Sequence, residues 1–69
     1  MKLALADKRT KTIFGYWGTS MTVDEALSLI DFQIGDEEEL IDKDGNGTGH
    51  YYEDIDFISD TEGYTEEIA

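Results

Sequence analysis

The chain contains no cysteine and no proline. Without thiols it has no disulfide and no thiolate metal site, and the composition fits a reducing, cytoplasmic setting. Bases are scarce: five Lys and Arg face seventeen Asp and Glu, a formal net charge of −12. That sign argues against direct binding to DNA, RNA or an anionic membrane. No apolar run approaches the roughly 20 residues of a membrane-spanning helix. The opening MKLALADKRT has one lysine, then a short apolar stretch broken at Asp7. It is too short to read as a signal peptide. Histidine and tryptophan each occur once, as His50 and Trp17.

What remains is a 69-residue chain with 12% aromatic residues, enough to argue against general disorder. Its length fits one small domain of marginal stability. The charge is unevenly spread. Residues 1–20 hold four bases against Asp7, a net of +3. Residues 21–69 hold sixteen acids against Lys43, a net of −15. Self-repulsion of that size weakens a compact state, so the acidity calls for a reason: solubility, cation binding or a basic partner.

Residues 2–6, KLALA, and 11–17, KTIFGYW, read as two strands of a hairpin joined through Asp7–Thr10. Strict alternation puts Ile13, Gly15 and Trp17 on one face and Phe14 and Tyr16 on the other, with Trp17 as core anchor. Gly18–Met21 is a break. Thr22-Val23-Asp24-Glu25 then forms a capping box. Val23, Ala26, Leu27 and Ile30 follow as one apolar stripe, predicting a helix over about 23–33 with Gly35 as its stop. In YYEDIDFI, residues 51–58, a half-buried strand would show Asp54 and Asp56 to solvent. The expected fold class is α+β, a small antiparallel ββαββ sheet with one helix on a face. The domain should span residues 1–60. Residues 61–69 should form an acidic, frayed tail on which Tyr64 or Ile68 is able to dock.

DKDGNGTGHYYE, residues 42–53, admits two readings. Asp-Gly and Asn-Gly are strong hairpin signals, and here they separate ELIDK from HYYEDI. The alternative is calcium. Asp42, Asp44, Asn46, Thr48 and Glu53 occupy positions 1, 3, 5, 7 and 12 of an EF-hand loop, with Gly47 at the sharp turn. Over these twelve residues the chain resembles a calmodulin-type loop, which would imply calcium as a cofactor. It departs at Gly49, where such loops carry an aliphatic residue, and at His50. The acidic GDEEELI precedes it, and a strand-like segment follows. His50 beside Glu53 or Asp54 offers an acid–base pair, but no nucleophile or cysteine accompanies it, and a short chain has little room for a pocket. The expectation is a protein that is not an enzyme.

Carboxylates recurring on alternate strand residues stand about 6.6 Å apart. Along a helix, the i to i+4 spacing is about 6 Å. Both resemble phosphate spacing along a nucleic-acid strand. Glu37, Glu39, Asp42 and Asp44 would make one row, and Asp54 and Asp56 a second, with Tyr51, Tyr52 and Tyr64 as apolar anchors. In size, acidity, lack of cysteine and α+β pattern, the chain resembles small phage-encoded inhibitors of host defence, the anti-CRISPR and anti-restriction DNA mimics. The resemblance is one of class. It implies a CRISPR effector or restriction enzyme as partner, met in the host cytoplasm, with no cofactor.

Overall fold

The alternation in KLALAD builds β1 (Lys2–Asp7), and the β-branched and aromatic run after the turn builds β2 (Thr12–Gly18). The computed structural model describes residues 2–18 and 20–67. The expected hairpin forms, but with a bulge. Leu5 pairs with Gly15 and Ala6 with Ile13, so Phe14 is the extra residue. The bulge resets the alternation, and this corrects the strict-parity expectation. Phe14 and Trp17 pack on the Leu5 side, whereas Ile13 joins Ala4 and Ala6 on the opposite side. Trp17 folds back over Gly15, where a Cβ would lie 2.5 Å from the indole Cη2. Glycine is what lets the ring lie there.

Helix α1 (Val23–Leu29) starts at the expected capping box. Thr22 Oγ1 accepts from the Glu25 N–H, and the Glu25 carboxylate accepts from the Thr22 N–H, both at 3.2 Å. The helix ends earlier than expected. Asp31 takes a left-handed φ of 61°. Its N–H bonds the Ser28 carbonyl, and the Phe32 N–H bonds that of Leu27. This is a Schellman closure with aspartate in the place usually held by glycine. Gly35 lies beyond the stop.

After α1 come β3 (Gln33–Ile34), a 3₁₀ turn at Asp36–Glu38, β4 (Glu39–Ile41) and β5 (Gly47–Tyr51). A second 3₁₀ turn, Tyr52–Asp54, leads to β6 (Ile55–Ile58), and β7 (Thr65–Glu66) follows near the end. The α+β class holds, but the topology is not a single ββαββ sheet. A four-stranded sheet runs β6-β1-β2-β7, and a three-stranded sheet runs β3-β4-β5. β1 is flanked by β2 and β6, so both its edges are filled and the acidic hairpin pairs with β3 instead. β7 runs parallel to β2. The segment expected to fray is thus held at residues 64–67: Tyr64 packs on the Ala4–Ala6–Ile13 cluster, and Tyr16 donates to Glu66. That carboxylate raises the Tyr16 pKa. Ile68, and Thr19 of the predicted break, lie outside the described residues.

Leu5, Ala26, Leu27, Leu40 and Ile55 form the main core, where helix and both sheets meet. Among the described residues no helix is long and apolar enough to cross a membrane.

Candidate functional site

Two of the N-terminal bases form ion pairs within the molecule. Lys8 and Arg9 sit in the β1–β2 turn, which the β1–β6 pairing brings beside Asp54 and Asp56. Lys8 Nζ lies 3.5 Å from Asp56 Oδ2, and Arg9 Nε lies 3.2 Å from Asp54 Oδ2. Arg9 Nη2 also donates to the Gly49 carbonyl at 2.7 Å. Its guanidinium stands over the Tyr51 ring, and Lys11 stands over Tyr64. The Asp54–Asp56 row therefore carries its own counter-charges.

The other half of the molecule has no such compensation. Residues 20–53 span α1, β3, β4 and β5, and hold ten carboxylates against Lys43, a net of −9. Asp36, Glu37 and Glu38 are exposed at one turn, and no ion pair to them occurs among the described residues. Glu37 and Glu38 both take left-handed φ values, 57° and 63°. Non-glycine residues held there cost about 1–3 kcal/mol each. Three like charges on such a turn add repulsion to that strain. Sequence reasoning had no signal for the backbone conformation.

The expected row of Glu37, Glu39, Asp42 and Asp44 divides. Glu37 and Asp44 are exposed. Glu39 is half-buried, and its carboxylate lies along β5, accepting from the Gly49 N–H at 3.1 Å. Asp42 Oδ1 accepts from the N–H groups of Asp44 and Asn46 at 2.9 and 3.0 Å. Tyr52 packs at the rim of the main core, and hydrogen bonding to Asp24 raises its pKa.

The same bonds define the 42–46 loop. The Gly45 N–H bonds the Asp42 carbonyl, and Gly45 has φ 84°. A turn closed this way and followed by left-handed glycine is a standard hairpin connection between β4 and β5. Thr48 Oγ1 donates to the Leu40 carbonyl at 2.7 Å. Asn46 is exposed, as is Glu53 in the second 3₁₀ turn. Among the described residues no three His, Cys, Asp or Glu side chains gather as a metal-holding group. In this conformation Asp42, Asp44, Asn46 and Thr48 contribute bonds to the hairpin, and Glu53 lies beyond it in the second 3₁₀ turn.

His50 pairs with neither Glu53 nor Asp54. Its Nδ1 lies 2.7 Å from Oδ2 of Asp7, a fully buried carboxylate at the end of β1. An ionised carboxylate only accepts, so Nδ1 carries the proton. Asp7 Oδ1 accepts from the N–H groups of Arg9 and Thr10 at 2.8 and 3.1 Å. Burial alone would raise the Asp7 pKa. The His50 hydrogen bond and the two turn N–H bonds outweigh it, so the net shift is downward. Phe14 meets the imidazole edge-on at 4.8 Å between centroids, and Nε2 faces Glu67 Oε2 at 3.6 Å. An open groove of about 430 Å³, lined by Phe14, Phe32, Asp42, Thr48, His50 and Glu67, lies beside it. Thr10 Oγ1, the hydroxyl that approaches the ring, does so at Nδ1, which already serves Asp7. The dyad joins the two sheets, from β1 to β5. Its members stand 43 positions apart, and the sequence offers no local mark of the pair.

No protein-family model, no curated protein and no solved structure matches the chain.

Proposed function

We propose that the protein is an acidic interaction inhibitor. It presents carboxylates in place of nucleic-acid phosphates and blocks the basic site of a nucleic-acid-binding protein. A CRISPR effector or a restriction enzyme in the host cytoplasm is the partner class, and the protein acts by binding, without catalysis of its own. The observation that supports this is the segregation of charge. Asp54 and Asp56 are met by Arg9 and Lys8, while the half built on α1, β3, β4 and β5 holds a net of −9 with no Lys or Arg ion pair among the described residues. The strained turn at Asp36–Glu38 holds three of those charges in place. A basic groove gains the same salt-sensitive attraction from such a surface as from DNA.

The test is displacement of a fluorescent duplex from a purified CRISPR effector and from a purified restriction enzyme as the protein is added. Displacement should weaken steeply as salt rises. The combined variant D36N/E37Q/E38Q/D44N should lose about tenfold or more in apparent affinity, which is about 1.4 kcal/mol. D54N/D56N should change little, because those carboxylates already face Lys8 and Arg9. Displacement by neither mechanism class, or displacement untouched by the fourfold variant, defeats the reading.

A further inference from the structure

The apolar feature left open on the acidic half is the edge of the three-stranded sheet. β3 pairs only with β4, so its outer side is free of strand partners. The Gly35 N–H bonds the Glu39 carbonyl, and Gln33 stands opposite Ile41. By the alternation of an antiparallel ladder, the N–H and C=O of Ile34 point away from β4. Ile34 on this edge is 49% exposed. Between helix and strand runs a groove of about 280 Å³ lined by Asp24, Leu27, Ser28, Phe32, Gln33 and Ile34. It adjoins a second groove of about 350 Å³ that includes Asp31 and Lys43. An exposed edge with apolar side chains and unpaired backbone groups is a template for another strand.

We infer that this edge docks a short, extended, basic segment of a partner protein. The segment adds a strand beside β3, sets aliphatic side chains against Ile34, Leu27 and Phe32, and directs lysine or arginine toward the surrounding carboxylates. The sign of the surface selects the occupant. Asp24 and Asp31 line the grooves with Lys43, Asp36 follows β3, and residues 20–53 together carry −9, so a second copy would bring like charge against like, which is destabilising. A segment of opposite charge gains where the copy loses. The inference rests on the inhibitor reading for the nature of the partner, and adds the point at which that partner is anchored.

The experiment titrates the full chain into a labelled peptide alternating lysine and valine, with a glutamate–valine peptide and an all-lysine peptide as controls, read by fluorescence anisotropy. The lysine–valine peptide should bind at least about tenfold more tightly than either control. Ile34→Pro deletes the outward N–H without removing a β4 hydrogen bond, and Gln33 before it is already extended. It should reduce peptide binding about tenfold, as should I34Q, which alters only an exposed side chain and keeps the test available if the proline variant fails to fold. Equal binding of all three peptides, or binding unchanged by I34Q, overturns the inference. So does sedimentation of the free chain as a dimer that I34Q dissociates. The two readings fail separately. Duplex displacement that survives I34Q removes the edge and leaves the inhibitor. Peptide binding at the edge without any duplex displacement removes the inhibitor and leaves the edge.

Discussion

Two turns at opposite ends of the charge distribution show how differently the molecule treats its acids. At the β1–β2 turn, Lys8 and Arg9 meet Asp56 and Asp54, and Arg9 also reaches the Gly49 carbonyl. At Asp36–Glu38, three exposed carboxylates share a turn in which both glutamates are left-handed, with no ion pair among the described residues. The first arrangement is internally complete and joins parts of the fold. The second closes the β3–β4 connection but costs stability through strain and repulsion. Net charge alone cannot distinguish the fates of Asp54–Asp56 and Asp36–Glu38, because both stretches are acidic in sequence. The difference lies in whether the topology delivers a base.

The comparison can be broken most severely at the complete end. Asp7→Ala removes the buried acceptor for His50 Nδ1 and for two turn N–H groups. Stranding those donors should cost about 3–5 kcal/mol, read as a lowered urea midpoint. A loss under about 1 kcal/mol would mean that water replaces the carboxylate. The pH dependence has a definite sign. The folded-state pKa of Asp7 lies below its ordinary value of 3.8, so its contribution is fully present above that pH and fades as pH falls through the lower folded value. Comparing wild type with Asp7→Asn should show a stability gap that narrows below about pH 4; a gap independent of pH rejects the assignment.

Next in size is Gly15→Val. A side chain there meets the Trp17 indole at the buried centre of the hairpin, and about 1–3 kcal/mol of destabilisation is expected. Trp17 fluorescence would report the displaced ring, and an unchanged emission spectrum would contradict the packing. The smallest effects compare the two turns directly. Arg9→Ala should lower stability by about 1 kcal/mol or less, since its ion pair is largely exposed. Glu37→Gln should instead raise stability by a few tenths of a kcal/mol by easing repulsion, roughly the size of other surface charge effects. Thermal melts at low and high salt settle this, because the Glu37→Gln gain should shrink as salt rises. Opposite signs for the two variants sharpen the contrast, whereas equal signs erase it.

Much of the local structure was legible in the sequence. The Thr22–Glu25 capping box, the N-terminal hairpin and the 42–46 turn form where their residues predict, because each depends on groups a few positions apart. The helix stop was misread for an equally local reason. Gly35 is the stronger general signal, but Asp31 closes the Schellman motif first. The bulge at Phe14 escaped the alternation rule because a register shift depends on the partner strand. The candidate site was legible only as composition. Its carboxylates were all visible, but not which ones the fold neutralises.

The chain by itself settled the α+β class, the helix start, the turn chemistry and the sign of the surface, since propensity, capping and net charge act over short range or simply add. Tertiary structure alone decided that β7 runs beside β2, that Asp7 meets His50, that Lys8 and Arg9 quench the Asp54–Asp56 row, and that Ile34 is left on an open edge. Each of these joins residues far apart in sequence, and such contacts are chosen by which strand edges remain free once the stronger pairings have formed.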